Sequence, residues 1–196
     1  MVDRRILKNE VIPHAEKMMS IFETYTEWVV KGKFHPPVEL GKKLSITSDQ
    51  YNLIVHYQVM HQEQDRDIVI EIADKVLSKY KKIDSMSFDK GHWSAENKAL
   101  LELEIPDVIL PKLGKRTVQE KELEDRRRFK RLKNKHSAIE SNINELEHRG
   151  LDRCPDRGYH HFKTYIALGV CAYNLKKIGK KLLENQLKEL PVKKAA

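Results

Sequence analysis

Two periods of apolar residues run through the chain, and the switches between them mark its elements. Residues 1–18 show neither period: Ile6, Leu7, Val11 and Ile12 are irregularly spaced and Pro13 interrupts them, as in the tail of a helical element. Residues 20–30 are rich in aromatic and β-branched side chains, as half-buried strands are. Lys31-Gly32-Lys33 and Pro36-Pro37 break that stretch. Residues 43–47 and 52–59 alternate apolar with polar around Asp49-Gln50, which predicts a hairpin. Ile68, Ile70, Ile72, Ala73 and Val76 then predict a helix ending near Tyr80. Residues 83–88 read as a short strand with Asp89 at its end. Ser94 is placed to cap a helix whose Leu100, Leu101 and Leu103 face inward, and residues 107–111 form another buried strand stopped by Pro111.

The remainder is a charge run at 112–135, a helix at 137–148, a turn at 150–158 and a long helix at 161–189. Hairpin, helix, strand, helix, strand and helix in that order make a mixed α/β pattern. In the final helix Ile166, Leu168, Val170, Cys171 and Leu175 are expected to pack. Trp28 and Trp93 are expected to be core anchors.

Composition adds charge to this picture. Of 196 residues 34% are charged, and Lys and Arg outnumber Asp and Glu by 37 to 29. The excess is local: the run at 112–135 holds eleven basic and four acidic residues. A segment so charged is expected to contact a polyanion and to stay disordered without one. Cys154 and Cys171 form no CxxC pair, which fits a reducing cytosol. No apolar run approaches the roughly 20 residues of a membrane span, and no apolar leader follows the charged N-terminus. The expectation is a soluble intracellular protein without membrane contact.

Chemistry concentrates in two places. In Ser87-Phe88-Asp89-Lys90-Gly91-His92-Trp93-Ser94, a carboxylate ends a strand before a glycine turn and a capped helix. Open α/β sheets place ligand groups at that point, although an Asp there also satisfies turn amides. The second is the helix from His136 to Gly150, where Ile139, Ile143 and Leu146 form an apolar stripe adjoined by Glu140. Asn144 lies a turn beyond Glu140, and Glu145 and Glu147 suit solvent or salt bridges. A single helical Glu is otherwise a solvated charge. Converging carboxylates would give hard oxygen ligands for Mg²⁺ or Mn²⁺, and two such ions could drive an in-line phosphoryl transfer. Six phosphate contacts from the basic run would give a log–log salt slope of about −5.

Phe22-Glu23, Thr26-Glu27-Trp28, Lys31-Gly32-Lys33 and Pro37-Val38-Glu39-Leu40-Gly41 resemble the middle of DDE transposases of a less well classified group of bacterial insertion sequences. Phe88 to Ser94, Ile109-Leu110-Pro111-Lys112, Ile139 to Leu151 and Ala172-Tyr173-Asn174-Leu175 continue in that family's order. The resemblance implies a ribonuclease H-like mixed sheet with flanking helices, incomplete at the N-terminus. It implies DNA cleavage and strand transfer at insertion-sequence ends, with Mg²⁺ or Mn²⁺ as cofactor. Asp89 matches the second catalytic Asp and metal ligand, and Glu140 the closing Glu and metal ligand. Lys135 or His136 stands where related enzymes carry a basic residue. Lys90, Lys112, Lys115, Arg116, Arg126, Arg127, Arg128, Lys130, Arg131 and Lys133, with Lys135 and His136, are the expected DNA contacts.

The first catalytic Asp has no matching strand. Asp3, Glu27, Asp49, Asp65 and Asp67 are its stand-ins, and only Glu27 falls on a plausible strand. The expectations are therefore a helical tail at 1–18, a partial catalytic domain at 19–150 and a helical extension at 151–196. The partners are DNA, a missing N-terminal transposase part and further copies in a homo-oligomer, in the bacterial cytoplasm and associated with the nucleoid. The alternative is a catalytically inactive DNA-binding remnant that interferes with an intact transposase.

Overall fold

The computed structural model describes residues 1–13, 16–30 and 38–189. The breaks at Lys31-Gly32-Lys33 and Pro36-Pro37 lie outside the described residues. A short helix α1 (Val2–Ile6) precedes strands β1 (Glu27–Val30) and β2 (Val38–Gly41), which pair antiparallel. Strands β3 (Leu44–Ser48) and β4 (Ile54–Val59) form the expected hairpin, with an irregularity between Thr47 and Ser48. Its turn is an Asx turn: Asp49 Oδ1 accepts from the Tyr51 and Leu53 amides at 2.8 and 2.9 Å.

Helix α2 (Val69–Lys79) buries Val69, Ile72, Ala73 and Val76 along one face, as its spacing predicts. Strands β5 (Ser85–Ser87) and β6 (Asp107–Ile109) are parallel, and helix α3 (Ala95–Glu104) connects them. Ser94 Oγ caps α3 by accepting from the Asn97 amide at 2.9 Å. Leu101 and Ile105, four residues apart, point inward, whereas Leu100 and Leu103 turn outward, Leu103 to 80% exposure. The three-leucine face was too wide for a helix that steps 100° per residue. These elements and Met60 enclose the larger apolar core.

The charge run corrects the expected disorder, and its helix starts well before residue 137. Helix α4 (Val118–Asp125) opens with a capping box between Thr117 and Glu120, and α5 (Arg127–Leu146) runs for 20 residues. Lys, Arg and Glu are good helix formers. Their charges also pair internally, Lys112 with Glu120 at 2.8 Å, Arg116 with Glu124 at 3.2 Å, Lys130 with Asp125 at 2.9 Å, and Arg128 with Asp107.

After a wide turn at Glu147–Leu151 containing Gly150 at φ 100°, helix α6 (Tyr159–Glu189) packs on the hairpin and on α5. This second core holds Ile54, Leu146, Ile166, Val170 and Tyr173. Leu168 and Leu175 are 64% exposed and Cys171 is exposed, so these three are not packing residues. Among the described residues only one side of the helix is covered. Trp93 packs against the larger core, with the Lys112 ammonium 5.3 Å from its ring, but Trp28 is exposed. Among the described residues the strands form three separate pairs and do not join into one sheet. Nor is any helix there long and apolar enough to cross a membrane.

Candidate catalytic cleft

A cleft of about 1540 Å³ runs between β3 and β5, with α2 on one side and α5 on the other. Asp89 and Glu140, 51 positions apart in sequence, both line it. Asp89 follows β5 and its Oδ1 accepts from the Lys90 amide at 2.7 Å, capping a 3-10 turn at Lys90–His92. The turn-satisfying role is thus real, and it occupies one oxygen. The turn is anchored from behind by buried Asn97, whose Nδ2 donates to the His92 and Arg66 carbonyls at 3.2 and 2.7 Å. A β-carbon at Gly91 would come 3.1 Å from Asp65 Oδ2, so the partly exposed Asp65 side chain would have to shift by a few tenths of an ångström to admit one.

Glu140 projects from α5, exposed and without an ion pair among the described residues. The stripe beside it is split: Leu146 is buried, whereas Ile143 is 38% exposed and lines the cleft with Ile139. His136 stands one turn before Glu140 and also lines the cleft. Burial pushes its imidazole below the ordinary value, opposed by the nearby Asp89 carboxylate, the Ser87 carbonyl and Glu140. His92 is likewise held down by burial, against Asp65 and Asp89. His136 Nδ1, His92 Nδ1 and Ser87 Oγ are buried without hydrogen-bond partners. Unsatisfied buried polar atoms are rare in folded proteins and mark functional positions often enough to be informative.

Two carboxylates on one cleft suit Mg²⁺ or Mn²⁺ in kind, because Mg²⁺ is commonly held by one or two carboxylates and completed by phosphate and water. Among the described residues no group of three or more His, Cys, Asp or Glu is arranged to hold a metal ion. Of the stand-ins for a first carboxylate, Glu27 is ion-paired with Lys42, Asp49 is held in its turn and Asp67 accepts from the Gln64 amide. Asp3 sits in α1. Asp65 lines the cleft, 3.5 Å from the Lys43 ammonium.

The expected Lys and Arg contacts to DNA, leaving His136 aside, divide in two. Lys112, Arg116, Arg128 and Lys130 are engaged in the ion pairs above. Lys90, Lys115, Arg126, Arg127, Arg131, Lys133 and Lys135 have no ion pair among the described residues. Arg127, Arg131 and Lys135 follow one another at four-residue intervals on α5, and Lys135 reaches the cleft rim. Asn97, His92 and Ser87 surround Asp89 without having been expected there from the sequence. His92 and Ser87 sit inside the motif around Asp89, and Asn97 stands three residues after the Ser94 cap, the only sign available that its side chain turns back toward the site.

A family model described as Transposase DDE domain matches residues 26–175, well over half of the chain. The chain belongs to the transposase DDE domain family. No curated protein and no solved structure matches it significantly. The matched span runs from the first strand to Leu175 in α6 and contains the cleft lining apart from Glu23 and Tyr25, so Asp89 and Glu140 both fall within the family domain.

Proposed function

We propose that this transposase domain contributes Asp89 and Glu140 to metal-dependent phosphoryl transfer at insertion-sequence ends, within a ribonuclease H-like arrangement. The observation that carries this reading is their convergence on one cleft, with His136 between them. A divalent ion held by the two carboxylates would supply charge neutralisation and an activated nucleophile. The chain's own part is to orient the DNA. Arg127, Arg131 and Lys135 neutralise backbone phosphates along the approach to the cleft, and Lys90 does so beside Asp89. The turn anchored by Asn97 fixes the Asp89 carboxylate, and α5 fixes Glu140.

The test is cleavage of duplex DNA carrying the element's own termini, in Mg²⁺ or Mn²⁺. Asp89→Asn and Glu140→Gln are each expected to abolish cleavage while DNA affinity changes less than about twofold. Persistent cleavage in both variants would exclude the assignment. Arg131→Ala should weaken binding on every sequence and reduce the salt slope by about one.

One observation favours the second reading, a DNA-binding remnant: among the described residues no third ligand joins Asp89 and Glu140. That reading predicts salt-sensitive binding with no cleavage even at high Mn²⁺.

A further inference from the structure

We infer that the free end of α6 docks on the outer face of α3 of a second copy of this chain, and that a two-fold axis between the copies makes the contact twice. Every residue from Ile178 to Lys188 is exposed, so about three turns of α6 run on with no covering surface among the described residues. Leu183 is 56% exposed there and Leu187 59%. On α3 the helix buries Leu101 and turns Leu100 and Leu103 outward, at 44% and 80% exposure. Neighbouring apolar side chains left open on a helix face mark interaction surfaces.

The two faces carry matching spacing with opposite charge. On α3, Glu96, Leu100 and Leu103 follow at i, i+4 and i+7 along one stripe, and Glu104 flanks its end. On α6, Lys180, Leu183 and Leu187 follow at i, i+3 and i+7, and Lys188 flanks that end. A leucine pair is thus bracketed by glutamates on one helix and by lysines on the other, with eight residues between the brackets in both. The lengths agree as well. The ten residues of α3 span about 15 Å and the exposed stretch of α6 about 16 Å, at 1.5 Å per residue.

Charge also decides the partner. Lys176 and Lys177 are paired with Glu145, and Glu102 with Lys98, whereas Glu96, Glu104, Lys180 and Lys188 have no ion pair among the described residues. Glu104 ends α3, where the negative end of the helix dipole opposes it and no basic side chain of the last turn relieves it. Pairing α6 with another α6 would set lysine against lysine, and pairing α3 with another α3 would set glutamate against glutamate. Laid antiparallel, α6 on α3 brings Lys180 to Glu104 and Lys188 to Glu96, with the four leucines between them. Both faces are open in one copy, so they meet only between copies. Two unlike surfaces close into a dimer when a two-fold axis uses both pairs at once. None of these residues lines the cleft, so the docking does not depend on catalysis.

The test is sedimentation equilibrium of the full chain. The wild type should dimerise, less tightly as salt is raised, because exposed charges are screened. Lys180→Glu with Lys188→Glu, and separately Glu96→Lys with Glu104→Lys, should each weaken self-association about tenfold, since like charges then face each other. All four side chains are exposed, so the far-UV spectra should not change. Mixed in equal amounts, the two variants should form a heterodimer within about threefold of the wild-type affinity, because both contacts again join opposite charges. A wild type that stays monomeric at about 0.1 mM overturns the docking, and binding of that monomer to phosphatidylserine vesicles would give the lysines a membrane partner instead. An α3 variant that self-associates like the wild type overturns it too, since α6 would then pair with α6. So does a mixture that associates no more tightly than either variant alone.

Discussion

The two cores of this domain are held together by different physics. The body around α2, α3, β5 and β6 closes on apolar contact, with Ile68 and Ile105 1% exposed and Val69 at 0%. The hairpin and α6 meet over a smaller core tied by a polar latch. The Tyr173 hydroxyl lies 2.6 Å from Asn142 Oδ1 on α5 and 3.2 Å from the Asn52 carbonyl in the hairpin turn. Asn142 Nδ2 donates to Ser48 Oγ at 3.3 Å. The amide of Asn174 imitates a strand, accepting from the Ile54 amide and donating to the Ile54 carbonyl, both at 2.8 Å. Apolar burial is tolerant of partner and fills space. The latch, by contrast, fixes one register between elements some 120 residues apart, because each of its groups is costly to bury unpaired. The cleft opens between these two units.

The largest expected effect is in the body. Ile105→Ala should cost about 2–5 kcal/mol, read as a lower urea midpoint, because the surrounding helices cannot collapse into the hole. A loss below 1 kcal/mol would mean that the body is loosely packed and the contrast is wrong. Next comes the latch. Tyr173→Phe leaves Asn142 Oδ1 without its donor and should cost about 1–3 kcal/mol. Adding Asn142→Leu should recover part of that loss, since removing both partners is cheaper than removing one. Strict additivity of the two would show that the hydrogen bond contributes nothing.

These outcomes bear on what could be read from the chain. The body was legible because its signals are local: the period of Val69, Ile72, Ala73 and Val76, and the Ser94 cap. The latch was not, because nothing adjacent to Asn142, Tyr173 or Asn174 reveals their partners. Both site carboxylates stood out through strand-end and helix position. Their convergence was an expectation from carboxylate chemistry and from the resemblance, whereas Asn97, which holds the Asp89 turn, gave almost no sign.

Smaller effects sharpen the same contrast. Burial holds His56 and His92 below the ordinary imidazole value, with Lys79 and Lys75 adding to the effect at His56. Each then binds fewer protons folded than unfolded, so the stability it contributes is full above about pH 6.5 and is lost as pH falls below that. Urea midpoints should drop between pH 7 and pH 5, and His56→Gln should flatten the slope. Smallest is Glu145, held down to about 2 by Lys176 first and then Lys177. Its contribution is present above the ordinary carboxylate value of 4.5 and disappears as pH falls toward 2. Glu145→Gln should cost about 0.5–1 kcal/mol at pH 7, because the ion pairs are partly exposed and screened.

By itself the sequence determined the elements and their chemistry: the hairpin, the capped helix, the long final helix, and carboxylates at a strand end and on a helix. Those follow from periodicity and capping, which act over a few residues. Only the tertiary structure decided which leucines face inward, which cations are already paired and that the strands among the described residues stay in three pairs. It also decided that Asp89 and Glu140 border one open cleft. Burial and pairing depend on which distant surface covers a residue, and a residue's neighbours in sequence carry no record of that.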